Sequence, residues 1–249
     1  MPCSARSSSS ANSAREKAGP SAVPCNSIMQ PLGNKTVIRQ TYDNTVATGL
    51  FDDVYVVTDH EIIFNEIISN GGKAIMSQQS HESGSDRIAE AIAEMEVDIV
   101  LNVQGDEPFV KKEPLFKLLQ AFDDASVQVA SLMKKFTDFA LVNNPNYVKV
   151  VVDHNNDSLL FSRSVIPFQR DEKIMANYFE HIGVYAYRKE VLIQFTQWPA
   201  AKIEQIEKLE QLRYLQNGIR IRMIETNEIS AKIDVPEDLA IAEAFLQSL

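Results

Sequence analysis

Cysteine is nearly absent from this chain of 249 residues, which contains only Cys3 and Cys25. Because both lie near the start, the rest of the chain offers neither a disulfide framework nor a cysteine-based zinc site. A reducing cytoplasm is the simplest compartment for such a protein. Long apolar runs are also missing, since no stretch approaches the roughly 18 consecutive apolar residues that span a bilayer. We therefore expect a soluble, cytoplasmic protein without a membrane segment.

Runs of Lys or Arg are missing as well, and the charge balance is acidic. Lys plus Arg total 24 and Asp plus Glu total 34, which gives a net charge of -10. Proteins that bind nucleic acid usually carry a basic stripe, so we expect no nucleic-acid partner. The apolar fraction of 45% is typical of globular proteins. The length suits one large α/β domain that buries its own core, or, less readily, two small domains.

The first 28 residues differ in composition from the rest. Residues 1–28 are rich in Ser and Ala and lack apolar periodicity, so we do not expect them in a core. The segment has no apolar centre of a secretory signal. Its Ser and Arg residues, with Glu16 as the one acidic residue, loosely fit an organellar transit peptide. We favour a disordered tail or a mistranslated sequence instead.

From residue 29 onward, short apolar runs alternate with amphipathic stretches, which predicts βα units around a largely parallel sheet. Strands are predicted at 54–57, 73–76, 98–103, 127–133, 147–152, 178–187 and 219–224. Helices are predicted before Gly71, after Ser83, and at 114–122, 189–197, 203–216 and 236–247. No internal repeat is present.

Asp106 follows one of these strands directly. Ligands of open α/β sheets bind beyond the carboxyl ends of the strands. A carboxylate at that point can hold a hard cation, and Mg²⁺ takes one or two carboxylates plus substrate phosphates. An ordinary turn before Pro108 explains the residue equally well.

Two other stretches carry polar groups at suggestive places. The segment Ser83–Asp86 opens a helix, where unpaired N–H groups suit an anion and Gly84 permits close approach. The same spacing of Ser83 and Asp86 also fits a simple capping box. Along the strand 178–187, His181, Gly183 and Tyr185 share one face and form a polar shelf, although a packed interface would accept the same pattern.

Weaker signals come from four charged or amide residues. Glu210 and Gln211 flank the apolar stripe of a helix and could simply be solvated. Asp234 precedes a proline at a helix start, where its charge favours the helix dipole. Arg163 could bind a carboxylate or phosphate with two parallel hydrogen bonds, or it could be an ordinary surface arginine.

Taken together and in order, these motifs resemble the 3-deoxy-manno-octulosonate cytidylyltransferases, the CMP-Kdo synthetases. The likeness runs from about Pro31 to the C-terminus, and the NVQGDEP stretch separates this family from the acylneuraminate cytidylyltransferases. The motifs are Ser83–Arg87, Asn102–Pro108, Phe161–Arg163, His181–Arg188, Leu209–Arg213 and Ile233–Leu239.

The resemblance implies a Rossmann-like α/β nucleotidyltransferase fold, a Mg²⁺ requirement and a homodimer. It also implies the reaction of CTP with Kdo, which gives CMP-Kdo and diphosphate. Asp106 and Asp234 would hold the metal and act as the catalytic carboxylates. CTP would contact Ser83, Gly84 and Asp106. The Kdo pocket would consist of Gln104, Arg163, His181, Tyr185, Glu210 and Gln211.

The start of the chain departs from the family pattern. The family begins with a strand and a loop of the form P-A-R-x-x-S-x-R-x-P-G-K-P-L, whose basic residues and amides hold the CTP phosphates. Here the pattern resumes only at Ile28–Lys35, after that loop. We expect residues 29–249 to form a cytidylyltransferase domain without this strand and loop. A frameshift or miscalled start in the gene would explain residues 1–28.

Two other functions remain open at this point. A non-catalytic relative could keep sugar-acid binding or dimerisation and lack CTP binding. A metal-dependent glycosyltransferase is expected to carry an Asp-x-Asp motif after a strand. The adjacent pairs Asp52-Asp53 and Asp123-Asp124 do not have that form.

Overall fold

The computed structural model describes residues 25–81, 83–228, 233 and 238–247. The expectations for residues 1–24 and for Asp234 lie outside this part of the chain. The helices are α1 Cys25–Ile28, α2 Val37–Ala47, α3 Glu61–Ser69, α4 Gly84–Ile92, α5 Lys112–Gln120, α6 Phe139–Val142, α7 Lys189–Gln197, α8 Lys202–Glu207, α9 Leu212–Gln216 and α10 Asp238–Gln247. The strands are β1 Pro31–Leu32, β2 Lys35–Thr36, β3 Val56–Thr58, β4 Ala74–Met76, β5 Ile99–Asn102, β6 Val129–Lys135, β7 Lys149–Val152, β8 Ser158–Ser162, β9 Phe179–Arg188 and β10 Ile221–Glu225.

The main sheet has the strand order β10-β6-β9-β7-β8, and β5 pairs with the half of β9 that β7 leaves uncovered. Strands β3 and β4 form a separate parallel pair. Only β6–β10 is parallel in the main sheet, so the expectation of a mostly parallel sheet is wrong for the described strands. Strand β9 runs against its neighbours, and β7 and β8 form a hairpin, which is an antiparallel connection.

Three other points of the sequence prediction need correction. The stretch 203–216 is not one helix, because Lys208 adopts a left-handed φ of 54° and separates α8 from α9. The sequence prediction also misses β8, whose polar ends and short apolar centre hide its period. Ile28 is buried among Ile38, Tyr42 and Ile63, so the packed region begins before residue 29.

The core of the main sheet consists of strand residues and stacked aromatic rings. The first five residues of β6 are buried, as is the middle of α7. Tyr187 and Phe195 stack on Tyr214 with ring centroids 6.0 and 4.3 Å away. This packing holds one wall of the cleft described below.

The other side of the cleft is less filled. The residues of β5 are all half-buried, as are most of β3 and β4. Among the described residues, β3 pairs only with β4 and β5 only with β9. Both strands line the same cleft. Each strand therefore has, next to the cleft, an edge that pairs with no other strand of the described chain. No helix in this part of the chain is long and apolar enough to cross a membrane.

Candidate functional site

A cleft of about 1750 Å³ lies between β3, β5 and β9. It brings together most of the residues that the sequence marks as candidates, from five separate stretches of the chain. Asp106 is fully buried just after β5, and Ser83 caps the helix that begins at Gly84. The candidates that line the cleft are Gly84, Gln104, Arg163, His181, Tyr185, Glu210 and Gln211.

The turn after β5 is held against helix α2. The Glu107 N–H donates to the Gln104 carbonyl at 3.1 Å, which closes the turn. Thr41 Oγ1 donates to the Gly105 carbonyl at 3.0 Å. A Cβ on Gly105 would come within 2.9 Å of Ile38 Cδ1, so any other residue here would require the Ile38 side chain to shift.

The Asp106 side chain is fully buried after β5 and does not line the cleft. Its backbone carbonyl accepts a hydrogen bond from the Ile233 N–H at 3.1 Å, so the residue before Asp234 in the chain lies beside Asp106. In the described ranges no three His, Cys, Asp or Glu side chains cluster tightly enough to hold a metal alone.

The start of α4 is a capped helix end. Ser83 Oγ accepts from the Asp86 N–H at 3.2 Å and donates to the Asp86 carboxylate at 2.9 Å. The capping role expected as the alternative is therefore present. A Cβ on Gly84 would meet no atom within 4 Å, which leaves space above the helix end for a ligand. Capping and ligand binding are compatible here, because a cap satisfies only one of the free N–H groups.

A carboxylate that the sequence reading missed supports this helix end. Glu90 accepts hydrogen bonds from Ser77 Oγ at 2.5 Å and from the Gln78 N–H at 3.0 Å, and it lies 2.6 Å from His81 Nε2. The hydrogen bond from Ser77 and the neighbouring His81 lower the pKa of Glu90. Glu90 therefore ties the loop 77–81 to α4. No sequence signal marks it, because its partners come from a loop without regular spacing.

The polar shelf expected on β9 is present, and its histidine is held on several sides. The His181 ring packs against Phe161 with centroids 5.1 Å apart and against Tyr185 at 5.3 Å. Its Nδ1 lies 3.4 Å from Gln211 Nε2, and its Nε2 lies 3.1 Å from Ser131 Oγ. Ser131 is a second residue that sequence reading missed.

Glu210 connects the two groups of candidates. Burial raises the pKa of its carboxyl, and the neighbouring hydroxyls of Ser83 and Ser85 partly offset that effect. Its Oε1 is buried and has no hydrogen-bond partner in the described chain. The carboxyl expected in the sugar pocket therefore lies against the helix end expected to bind the nucleotide.

Arg163 makes a set of backbone contacts that the sequence did not indicate. Its guanidinium donates to the carbonyls of Glu207 at 2.8 Å, Pro145 at 2.9 Å and Lys208 at 3.4 Å. The Glu207 carboxylate accepts from the Arg163 N–H and from Ser162 Oγ. Three of the five guanidinium N–H donors are used in this way, and the others remain for a ligand.

Lys149 stabilises the chain segments that Arg163 contacts. Its side chain is fully buried, and its Nζ donates to the carbonyls of Asn144, Tyr147 and Arg163 at 3.2, 2.7 and 2.6 Å. Burial and the nearby charge of Arg163 lower the pKa of this ammonium group. The two cations thus join three chain segments into one wall of the cleft.

Comparison with known proteins gives consistent matches over this region. Residues 26–221 match the cytidylyltransferase family model. The 3-deoxy-manno-octulosonate cytidylyltransferase of Flavobacterium johnsoniae is 55% identical over 225 residues, which cover 89% of this chain and 92% of that protein. The protein of the same name from Christiangramia forsetii is 47% identical over 222 residues, covering 88% and 90%.

Solved structures agree with these matches. A CMP:2-keto-3-deoxy-manno-octonic acid synthetase, solved in complex with CTP, superposes with a TM-score of 0.85 and 37% identity, over 90% of this chain and 92% of that one. The 4-diphosphocytidyl-2C-methyl-D-erythritol synthase of Anaerococcus prevotii superposes at 0.62 with 16% identity, over 88% and 93%, which concerns the fold alone. The Rossmann-like α/β fold expected from the sequence is confirmed.

Proposed function

The chain belongs to the 3-deoxy-manno-octulosonate cytidylyltransferase family, and from that membership we propose that it transfers CMP from CTP to Kdo. The products are CMP-Kdo, used for lipopolysaccharide, and diphosphate. The observation that carries the proposal is the meeting of Gln104 and Gly105, from the turn before Asp106, with β9 and Glu210 in one cleft. The family expected from the sequence motifs is confirmed by the relatives.

We assign the Mg²⁺ of this reaction to Asp106 and Asp234. Asp106 is buried at the end of β5, and the hydrogen bond from Ile233 supports the pairing. One or two carboxylates with substrate phosphates are what this ion prefers. When bound, it neutralises phosphate charge and lowers the pKa of a sugar hydroxyl that it touches.

The chain's own residues bind and orient the two substrates. The anomeric oxygen of Kdo forms a bond to the α-phosphorus of CTP, the bond to diphosphate breaks, and the hydroxyl proton leaves to solvent. Such a transfer depends on positioning and charge neutralisation rather than on covalent chemistry by the protein. Ser83 and Gly84 hold the cytidine end of CTP. The Kdo pocket consists of Gln104, Arg163, His181, Tyr185, Glu210 and Gln211.

We further propose that the gap between β3 and β5 corresponds to the family's first strand and phosphate loop. The unpaired edges of β3 and β5 in the described chain support this. Residues 1–28 carry no P-A-R or G-K-P motif. Translation of the neighbouring DNA frames tests the frameshift hypothesis, which fails if no frame encodes a P-A-R…K-P-L stretch.

The gap also favours a second candidate function. A chain without the phosphate loop would bind the sugar acid and not CTP. Isothermal titration separates the two functions, because the non-catalytic relative binds Kdo and gives no response to CTP with Mg²⁺. A homodimer is proposed as well, supported by exposed Phe168, Ile174 and Met175, and its test is analytical ultracentrifugation.

The decisive experiment measures diphosphate release by the purified chain with CTP, Kdo and Mg²⁺. Asp106→Asn should lower the rate by about a thousandfold, because a charge that stabilises the transition state is removed. Release that persists in this variant would contradict the role of Asp106. If the chain gives no release, restoring a P-A-R…G-K-P-L segment should produce it. Failure after that restoration would overturn the proposed reaction for this chain.

A further inference from the structure

Ser131 is a polar residue inside the apolar strand β6. Its side chain is fully buried, and its Oγ lies 2.9 Å from the Val184 carbonyl and 3.1 Å from the Ile182 carbonyl. The third neighbour is His181 Nε2, also at 3.1 Å. These groups surround a bulge, where β9 carries two residues more than β6. The hydroxyl therefore contacts both the backbone of the bulge and the ring of a pocket residue.

Counting protons assigns the direction of each bond. A hydroxyl has one proton and two lone pairs, and a carbonyl oxygen can only accept. Ser131 therefore donates to a backbone carbonyl of the bulge. If His181 Nε2 carried no proton, its lone pair would face those of Oγ inside a buried site. The contact is attractive only when Nε2 carries the proton and donates it to Ser131.

The consequence reaches the cleft through Gln211. A neutral His181 with its proton on Nε2 has a bare Nδ1, which accepts from the Gln211 amide N–H at 3.4 Å. Because nitrogen and oxygen lie on opposite sides of an amide group, the Gln211 oxygen then points away from the ring as an acceptor. Gln211 is largely buried and lines the cleft. The orientation of its amide therefore decides whether a hydrogen-bond donor or an acceptor faces the ligand at this position.

We propose that Ser131 is a positioning residue of the sugar pocket. It fixes the Nε2–H tautomer of His181 and, through it, the direction in which Gln211 presents its amide to the sugar acid. The inference rests on the proposed function, because it takes Kdo as the ligand of Gln211. Ser131 itself is fully buried and does not line the cleft.

The tautomer can be measured without any ligand. Long-range proton–nitrogen spectra of protein labelled at its 4 histidines report it, with His181 assigned through the variant His181→Gln. We expect Nε2–H in the unchanged protein and a mixture with Nδ1–H in Ser131→Ala. Ser158→Ala is the matched control, because Ser158 is equally buried and its hydroxyl accepts only from the Ile221 N–H among the contacts described. An unchanged tautomer in Ser131→Ala would overturn the inference.

Calorimetric titration with Kdo tests the effect on binding. We expect Ser131→Ala to weaken affinity about tenfold, the worth of one ordinary hydrogen bond. Ser131→Thr keeps the hydroxyl and should restore affinity, whereas Ser158→Ala should leave it unchanged. Equal weakening by both alanine variants would reduce Ser131 to a structural role and overturn the proposal. An unchanged protein that binds no Kdo would instead contradict the proposed function, a result distinguishable from any change between variants.

Discussion

Strands β6 and β9 have hydrogen-bonded neighbours on both sides, whereas β3 and β5 have one each within the described chain. Burial follows this difference, since the centre of β6 is fully buried and β5 is half-buried along its length. The candidate site lies where the two regions meet. On the proposed assignment, the Kdo residues of β9 belong to the well-packed region, whereas the gap proposed for the CTP phosphate loop adjoins the unpaired edges of β3 and β5.

If the sites are as proposed, binding of Kdo and binding of the CTP phosphates depend on different strands. An unpaired strand edge leaves backbone N–H and C=O groups to water and lowers the local cost of opening. The region around β6 and β9 should therefore keep its geometry when the other region is disturbed. Four measurements test this division.

The largest effect on stability should come from the buried ion pair of the well-packed region. Arg213 donates to both oxygens of Glu204, at 2.8 and 2.5 Å, and stacks on Phe195. Glu204→Gln leaves the guanidinium without its counter-charge, so we expect a loss of about 3 kcal/mol in the free energy of unfolding. Urea unfolding measures it. The exposed pair Glu113–Lys117 is the control, and Glu113→Gln should cost under about 1 kcal/mol.

Hydrogen exchange should separate the two regions directly. Amides of β3 and β4 should exchange at least about tenfold faster than those of β6, which corresponds to about 1.4 kcal/mol in opening free energy. Mass spectrometry of peptides covering 56–58, 74–76 and 129–135 measures the rates. Restoring the family's first strand should slow the first two and leave the last unchanged. Equal rates in all three peptides would contradict the comparison.

Glu210→Gln should stabilise the protein while weakening the site. The folded pKa of Glu210 is raised by burial, so the ionised form is disfavoured in the fold above that pKa. The neutral amide removes this penalty, and we expect a gain of about 1 kcal/mol at pH 7. The gain should shrink as pH falls, because the carboxyl of the unchanged protein then becomes protonated. Thermal unfolding from pH 4 to 7.5 measures it, and a gain that grows at low pH would contradict this account.

The smallest effect should arise at Glu90, on the nucleotide side. Glu90→Gln weakens the contacts with Ser77 and His81 that hold the loop before α4. We expect the Michaelis constant for CTP to rise about fivefold and that for Kdo to stay within a factor of two, in line with one lost charged hydrogen bond. Steady-state kinetics measures both constants, on the chain as given if it releases diphosphate and otherwise on the chain with the P-A-R…G-K-P-L segment restored. Glu94→Gln, in the exposed turn that follows the same helix, is the control.

Much of the fold could be predicted from periodicity and turn residues. Helix α7 spans the predicted residues, and β5 and β9 lie within one residue of the predicted ends. The break at Lys208 could not be predicted, because the apolar stripe continues through both short helices while the backbone turns left-handed at a residue with a side chain. Strand direction was also out of reach, since one strand's pattern does not reveal its neighbours.

The candidate residues were predicted by motif, and their connections were not. His181 and Glu210 line the cleft as expected. Ser131 and Glu90 act through contacts that cross 50 and 13 positions of sequence, so no local pattern marks them. A serine within an apolar run is the one signal that could have drawn attention to Ser131, because a buried hydroxyl needs a partner.

The bulge in β9 also restricts which sequence changes this site can accept during evolution. Two extra residues lie between Ile182 and Tyr185 relative to β6. Losing one of them would exchange the inward and outward faces for the rest of the strand, since side chains alternate every residue. The stretch can therefore vary by replacement of single side chains but not by single-residue insertion or deletion. In a lineage of such proteins, its length should stay constant while surface loops nearby lengthen and shorten.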